Sequence, residues 1–253
     1  MPKTIIASNP NFRREVDKTK PFLNVAEFFS RTIQGEGAST GVPSTFLRLQ
    51  HCTLDCSWCD SASVWKFGNP YSVEEILNLM YDEGVVDDLR KGHHLILTGG
   101  SPMLQQNNLI HLIESFIDRF EFKPYIEIEN EATIMPLESF AFYIDQWNNS
   151  PKLVNSGMRA QVRYKPEILK YLSDQGNSWF KFVVSHEQDW DEIFYDFVDT
   201  YLVGRDQVIL MPEGQNQEEL KKSRLLTVEI AVREGLRFSD REHINIWDRM
   251  TGV

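Results

Sequence analysis

Cys52, Cys56 and Cys59 are the only cysteines in a chain of 253 residues, and they lie together in the segment His51-Cys-Thr-Leu-Asp-Cys-Ser-Trp-Cys-Asp60. An odd, tightly clustered set does not build a disulfide framework; it reads as a metal site. With the spacing C-x3-C-x2-C, three thiolates on one loop can hold three irons of a 4Fe–4S cluster, for which thiolates are the usual protein ligands. The fourth iron then keeps an open position, which permits inner-sphere electron transfer to a bound molecule. The alternative is structural zinc with His51 as a fourth ligand. Against it, a Cys and a His adjacent in sequence rarely reach one ion together, and no second Cys pair follows.

Other segments carry polar groups at spacings that suit ligand binding. In Gln34-Gly-Glu-Gly37, Gly35 and Gly37 allow the backbone close to a ligand, while Gln34 and Glu36 offer the donors and acceptors that a heterocycle edge needs. Arg48 could pair with a carboxylate. Thr98-Gly99-Gly100-Ser101-Pro102 ends an apolar run as a glycine turn, and Glu129-Asn-Glu-Ala-Thr133 ends another. Glu127 and Glu131 read as solvated, since acidic clusters usually are. Lys152 of Ser150-Pro-Lys152 reads by itself as a surface lysine, and Met211–Gly214 as a strand-end turn. His243 could hydrogen-bond a substrate, although a lone histidine beside apolar Ile244 and Ile246 is more often a structural residue; His93, His94, His111 and His186 read as structural.

The elements that must position these groups alternate between strand and helix. Strands are expected at Val25–Ser30, Ser44–Leu49, Leu95–Leu97, Tyr125–Glu129, Phe140–Trp147, Trp179–Val184, Val208–Met211 and Ile244–Trp247. Helices are expected from a Ser72 N-cap with Glu75 three residues on, over Leu109–Phe120, Pro166–Leu172, Asp189–Tyr201 and Gln217–Gly235. Apolar strands alternating with helices predict an α/β fold with a mostly parallel sheet and outer helices. Functional residues in such folds gather at the C-terminal strand ends, where these motifs fall. Residues 1–22 read as an extended leader and 23–253 as one domain. With 42% hydrophobic and 25% charged residues a core can form. A net charge of −11 disfavours nucleic acid as partner and favours a small molecule. No apolar run is long enough to span a bilayer, and Met1–Lys20 lacks the apolar centre of a secretory signal, so a cytoplasmic protein is expected.

The triad, with Trp58 before its last cysteine, resembles the radical S-adenosylmethionine superfamily. That resemblance implies an open barrel, methionyl amino and carboxylate groups on the open iron, and reductive cleavage to a 5′-deoxyadenosyl radical. The block Phe29-Ser-Arg-Thr-Ile-Gln-Gly-Glu-Gly37, then Gly41-Val-Pro43 and Phe46-Leu-Arg-Leu49, is similar to the 7-carboxy-7-deazaguanine synthase family, and the likeness runs from about Val25 to the C-terminus. It implies conversion of 6-carboxy-5,6,7,8-tetrahydropterin to 7-carboxy-7-deazaguanine with loss of ammonia. It further implies a pterin held by Gln34, Gly35, Glu36, Arg48, Thr98 and His243, and a cofactor held by Trp58, Gly99, Gly100, Ser101, Glu129, Ser150 and Lys152. Cys59-Asp60-Ser61 resembles the family's C-D-T, which implies Mg²⁺ at Ser61. A flavodoxin- or ferredoxin-type reductase and a homodimer follow from the same resemblance. Two departures stand out. Ser101 replaces the usual acidic partner of the methionyl ammonium, and Asn130, Glu131 and Ala132 depart from the family's E-T-N-G-T. A glycyl-radical-activating enzyme, a non-catalytic electron-transfer or cluster-sensing protein, and a weakened regulatory relative remain as alternatives.

Overall fold

Alternate residues of a strand point to opposite faces of its sheet, and here the two faces differ in chemistry. The computed structural model describes residues 2–253. Among them ten strands form one sheet: β1 Lys3–Ile6, β2 Phe22–Ile33, β3 Pro43–Leu49, β4 Asn69–Ser72, β5 His94–Gly99, β6 Ile126–Asn130, β7 Gln146–Asn149, β8 Ser178–Val184, β9 Val208–Pro212 and β10 Arg237–Phe238. The order is β1-β2-β3-β5-β6-β7-β8-β9-β10, with β4 added to β2. From β3 to β10 each neighbour is parallel, while β2 pairs antiparallel with β1, β3 and β4. The path has two ends, so the barrel is open.

One face carries Leu47, Leu97, Ile128, Phe180, Phe182 and Leu210, packed with Ile76, Met80, Leu109 and Phe116 of the surrounding helices in a single core. Each fully buried side chain of this size contributes about 1.5–3 kcal/mol. The other face holds a small apolar group, Phe29, Phe46 and Ile96, and above it buried polar residues: Thr98, Glu127, Asn148 and Lys181. Strands that read as simply apolar therefore have a polar inner row. Glu127 is fully buried, accepting hydrogen bonds from Ser39 (2.7 Å) and Asn148 (2.7 Å) and pairing with His94. The expectation that it is solvated fails because its strand faces the barrel interior.

The Ser72 cap forms as a reciprocal box: Glu75 N–H donates to Ser72 Oγ (3.2 Å) and Ser72 N–H to Glu75 Oε2 (2.8 Å). Four expectations change. Phe140–Trp147 splits into a helical turn, Glu138–Ala141, and β7. Phe140 is buried edge-on against Trp147 instead of by strand pairing. Ile244–Trp247, patterned as a strand, lies in a helix over Glu242–Trp247 whose first turn closes on the Arg241 carbonyl. The helix expected over 189–201 begins at Gln188 and widens into π turns at Ile193–Val198. Finally, Lys3–Ile6 is not merely extended: it adds β1 to the sheet, and Thr4 Oγ1 donates to the carbonyl of Gly252 (3.2 Å).

Candidate active site

Every site residue expected from the sequence except Ser101 lines one cavity at the C-terminal ends of the parallel strands. The cysteine loop leaves β3 through His51, whose backbone is left-handed (φ 74°). The loop rests on the end of β5. A Cβ on Gly100 would stand 2.3 Å from the His51 carbonyl oxygen and 2.6 Å from the Cys52 Cβ, so only glycine permits this approach. Ser101 N–H donates to the same His51 carbonyl (2.7 Å), while the His51 side chain is exposed and no part of the cavity wall. The three cysteines are free and half-buried. Leu54 N–H points at Cys52 Sγ (3.4 Å) and the Trp65 indole N–H at Cys59 Sγ (3.4 Å), donors that suit thiolates. Burial pushes the Cys52 thiol up to about 12, with the Leu54 amide pulling against it and the Glu131 charge adding to it. Burial also raises Cys56. A metal ion must therefore displace these protons as it binds.

Across the cavity sits a charge network that the sequence did not announce. Lys181, on the inner face of β8, reaches Glu36 Oε2 (3.0 Å) and Glu129 Oε1 (3.4 Å). Arg241 donates to Glu36 Oε1 (3.3 Å), to Asp60 and to the Gly214 carbonyl (2.6 Å). Burial opposes the Glu36 charge, yet Lys181, Arg241 and His243 together hold its carboxyl well below the ordinary range. Gln34 Nε2 donates to Glu129 Oε1 (3.1 Å) and Thr98 Oγ1 to Glu129 Oε2 (3.0 Å), so Glu129 is fixed from β5, β8 and the loop after β2. Arg48 is held by Glu27, directly opposite on β2, through its Nε (3.2 Å). The His243 ring packs on Gly35, where a Cβ would fall 2.2 Å from Nδ1. Burial lowers its pKa, leaving it neutral at neutral pH. Glu36, Asp60 and His243 have ligand-type atoms within 4.8 Å of one another, and the two carboxylates among them are already paired with the Arg241 guanidinium.

Near the cysteines, Lys152 Nζ donates to the Ser150 carbonyl (2.8 Å) and Oγ (2.6 Å) and lies 5.6 Å from the centre of the Trp58 ring. It is no plain surface lysine. Met211 also lines the cavity. Glu131, expected to be solvated, is buried, and Ser101 is fully buried behind Gly100 with its hydroxyl donating to Glu131 (2.7 Å). Lys181 left one sequence signal, a lone charge within the apolar run Trp179-Phe-Lys-Phe-Val. Arg241 left none, because its partners lie far away in the chain.

Residues 33–133 match the model of the 4Fe-4S single cluster domain family. A 7-carboxy-7-deazaguanine synthase from Pyrobaculum aerophilum is 32% identical over 234 residues, covering 92% of this chain and 98% of that protein. The chain belongs to the 7-carboxy-7-deazaguanine synthase family. Another member, from Hyperthermus butylicus, is 30% identical over 92% of this chain and 96% of its own length. The crystal structure of QueE from Escherichia coli shares the fold, with a TM-score of 0.62 at 22% identity over 88% of this chain and 95% of that one.

In this member of the synthase family the three thiols, their two N–H donors and the single cavity wall they share fit a 4Fe–4S cluster with an open iron. The zinc alternative has no fourth ligand in an exposed His51. For Mg²⁺ the fit is partial. Ser61 Oγ lies in the wall, 3.8 Å from Cys59 Sγ, but the nearby Asp60 and Glu36 carboxylates are engaged by Arg241. An ion there needs oxygens from substrate and water to complete its shell.

Proposed function

We propose that this chain converts 6-carboxy-5,6,7,8-tetrahydropterin into 7-carboxy-7-deazaguanine and ammonia in 7-deazapurine biosynthesis. The observation that carries the reading is the convergence of the cysteine triad, the Gln34–Glu36 loop with Arg48, and Ser150–Lys152 on one cavity in a chain of this family. The cluster and S-adenosylmethionine supply the one-electron chemistry that removes a substrate hydrogen atom. The protein's part is binding and orientation. Arg48, steadied by Glu27 through Nε, keeps its terminal nitrogens for the substrate carboxylate. Gln34, Gly35, Glu36, Thr98 and His243 form the pterin side of the site, and the neutral His243 ring can donate or accept there. Trp58, Gly99, Gly100, Glu129, Ser150 and Lys152 form the cofactor side. Mg²⁺ at Ser61, completed by substrate oxygens, would fix the rearranging carbon.

The same reading assigns residues 23–253 to one catalytic domain, a homodimeric and cytoplasmic protein, and a flavodoxin- or ferredoxin-type electron donor. No helix is long and apolar enough to cross a membrane. The test is anaerobic reconstitution with iron and sulfide, then addition of cofactor, reductant and the tetrahydropterin, followed by mass spectrometry. Both 5′-deoxyadenosine and 7-carboxy-7-deazaguanine are expected, and Cys56→Ala should abolish both. Appearance of 5′-deoxyadenosine without the deazaguanine would refute the substrate assignment.

A further inference from the structure

Glu131 is a buried carboxylate with no ion-pair partner among the described residues. Its side chain is part of the wall that holds the three thiols, and the residue is 4% exposed. Three hydroxyls donate to a single oxygen, Oε1: Thr53 (2.7 Å), Ser101 (2.7 Å) and Thr133 (2.6 Å). The other oxygen, Oε2, is shielded from solvent and has no donor. Among the described residues no Lys, Arg or His lies within ion-pair distance of it, although Glu27, Glu36, Glu127 and Glu129 each have such a partner. Burying a carboxylate oxygen in this state is costly unless a ligand arrives with donors of its own.

The carboxylate is also held at a set angle. Asn130 Oδ1 accepts from the Ala132 N–H (2.7 Å), an Asx turn that puts Ala132 in the left-handed region (φ 59°) and turns Glu131 towards the cysteine loop. Ser101, where the sequence lacks an acid, cannot take over the role. It is fully buried, and its hydroxyl is a donor to Glu131. The three hydroxyls leave Oε2 as the acceptor still available for a ligand N–H.

We propose that Glu131 is the carboxylate that accepts a hydrogen bond from the α-amino group of S-adenosylmethionine, with Thr53, Ser101 and Thr133 as its positioning residues. The acidic group absent at position 101 is thus supplied from the end of the next strand, and Ser101 serves to orient it. The inference rests on the cofactor half of the function proposed above and is independent of the pterin.

The test is equilibrium binding of S-adenosylmethionine to the reconstituted, reduced full-length enzyme without substrate, read from the change it causes in the cluster's electron paramagnetic resonance spectrum. The signal is normalised per cluster, so lower cluster loading in a variant does not mask the result. Glu131→Gln should weaken binding about tenfold or more, as expected for losing a charge-assisted hydrogen bond. The wild-type enzyme should bind an analogue lacking the α-amino group about tenfold or more weakly than the cofactor, and Glu131→Gln should narrow that discrimination by the share that its hydrogen bond contributes beside the iron–nitrogen bond. Ser101→Ala, which keeps the carboxylate, should have a smaller effect in the same direction. Wild-type affinity or undiminished discrimination in Glu131→Gln would overturn the assignment alone. Failure of the wild-type enzyme to bind the cofactor at all would overturn the underlying reading and this one with it. Cofactor binding without deazaguanine formation would refute only the substrate.

Discussion

At the scale of single residues, the site depends on charges that neutralise one another inside the barrel. Lys181 stands between Glu36 and Glu129, and its own burial is outweighed by these two carboxylates, which hold it protonated. Removing one member of such a group leaves an uncompensated buried charge, which costs far more than a surface pair contributes. Lys181→Met should therefore destabilise the fold by about 3–5 kcal/mol, read from urea denaturation of the apoprotein. A loss below about 1 kcal/mol would show that the pair behaves like a surface one. The sequence marked Glu36 and Glu129 through their motifs. It was silent on Arg241, which meets Glu36 across a separation of 205 residues.

At the scale of elements, the end of β5 acts as a seat for the cysteine loop. Thr98-Gly-Gly is a weak motif on paper, since strand-ending glycine pairs are common. In the structure Gly99 (φ 152°) and Gly100 let the loop's backbone close on the strand, with the His51 and Leu49 carbonyls occupying the space of the missing side chains. Gly100→Ala should displace Cys52 and lower the iron bound per chain after reconstitution to about half or less, because a ligand set displaced from its geometry loses metal affinity. Far-ultraviolet circular dichroism should remain close to that of the parent. Full iron loading in this variant would show that the loop is not held by this contact. The same scale explains the misread elements. Ile244–Trp247 has the alternation of a strand, yet Arg241, tied to Glu36, Asp60 and the Gly214 carbonyl, starts a helix there.

At the scale of the molecule, the polar interior makes stability depend on pH. Burial raises the Glu127 carboxyl, but hydrogen bonds from His94, Ser39 and Asn148 outweigh it, and Glu36 is held lower still. Both groups take up protons in the unfolded chain near 4.5 and resist doing so in the folded one. The unfolded state then binds more protons, so this stabilisation is complete above 4.5 and is lost as the pH falls through the folded values. Glu27 and Glu213, raised by burial, change in the opposite sense. The deep lowering of Glu36 sets the sign of the sum. Denaturation midpoints of the apoprotein at constant ionic strength should decline as the pH falls through about 6.5, where the unfolded chain protonates His243 before the folded one does, and fall further below about pH 4.5. A level profile to about pH 3 would contradict the network.

The sequence by itself determined the cluster loop, because three ligands within one short segment are a local fact that no tertiary contact can rearrange. It also determined the alternation of strands and helices, since periodicity is local, and the placing of each motif at a strand end. Only the tertiary structure decided which face of each strand is polar, because both faces of a parallel strand are buried and both read as interior. It decided that Lys3–Ile6 completes the sheet edge, that Lys181 and Arg241 hold the loop of Gln34–Gly37, and that the carboxylate beside the thiols is Glu131. Each of these is a pairing between distant segments, fixed by strand register and by the cost of leaving a buried charge or hydrogen-bonding group alone.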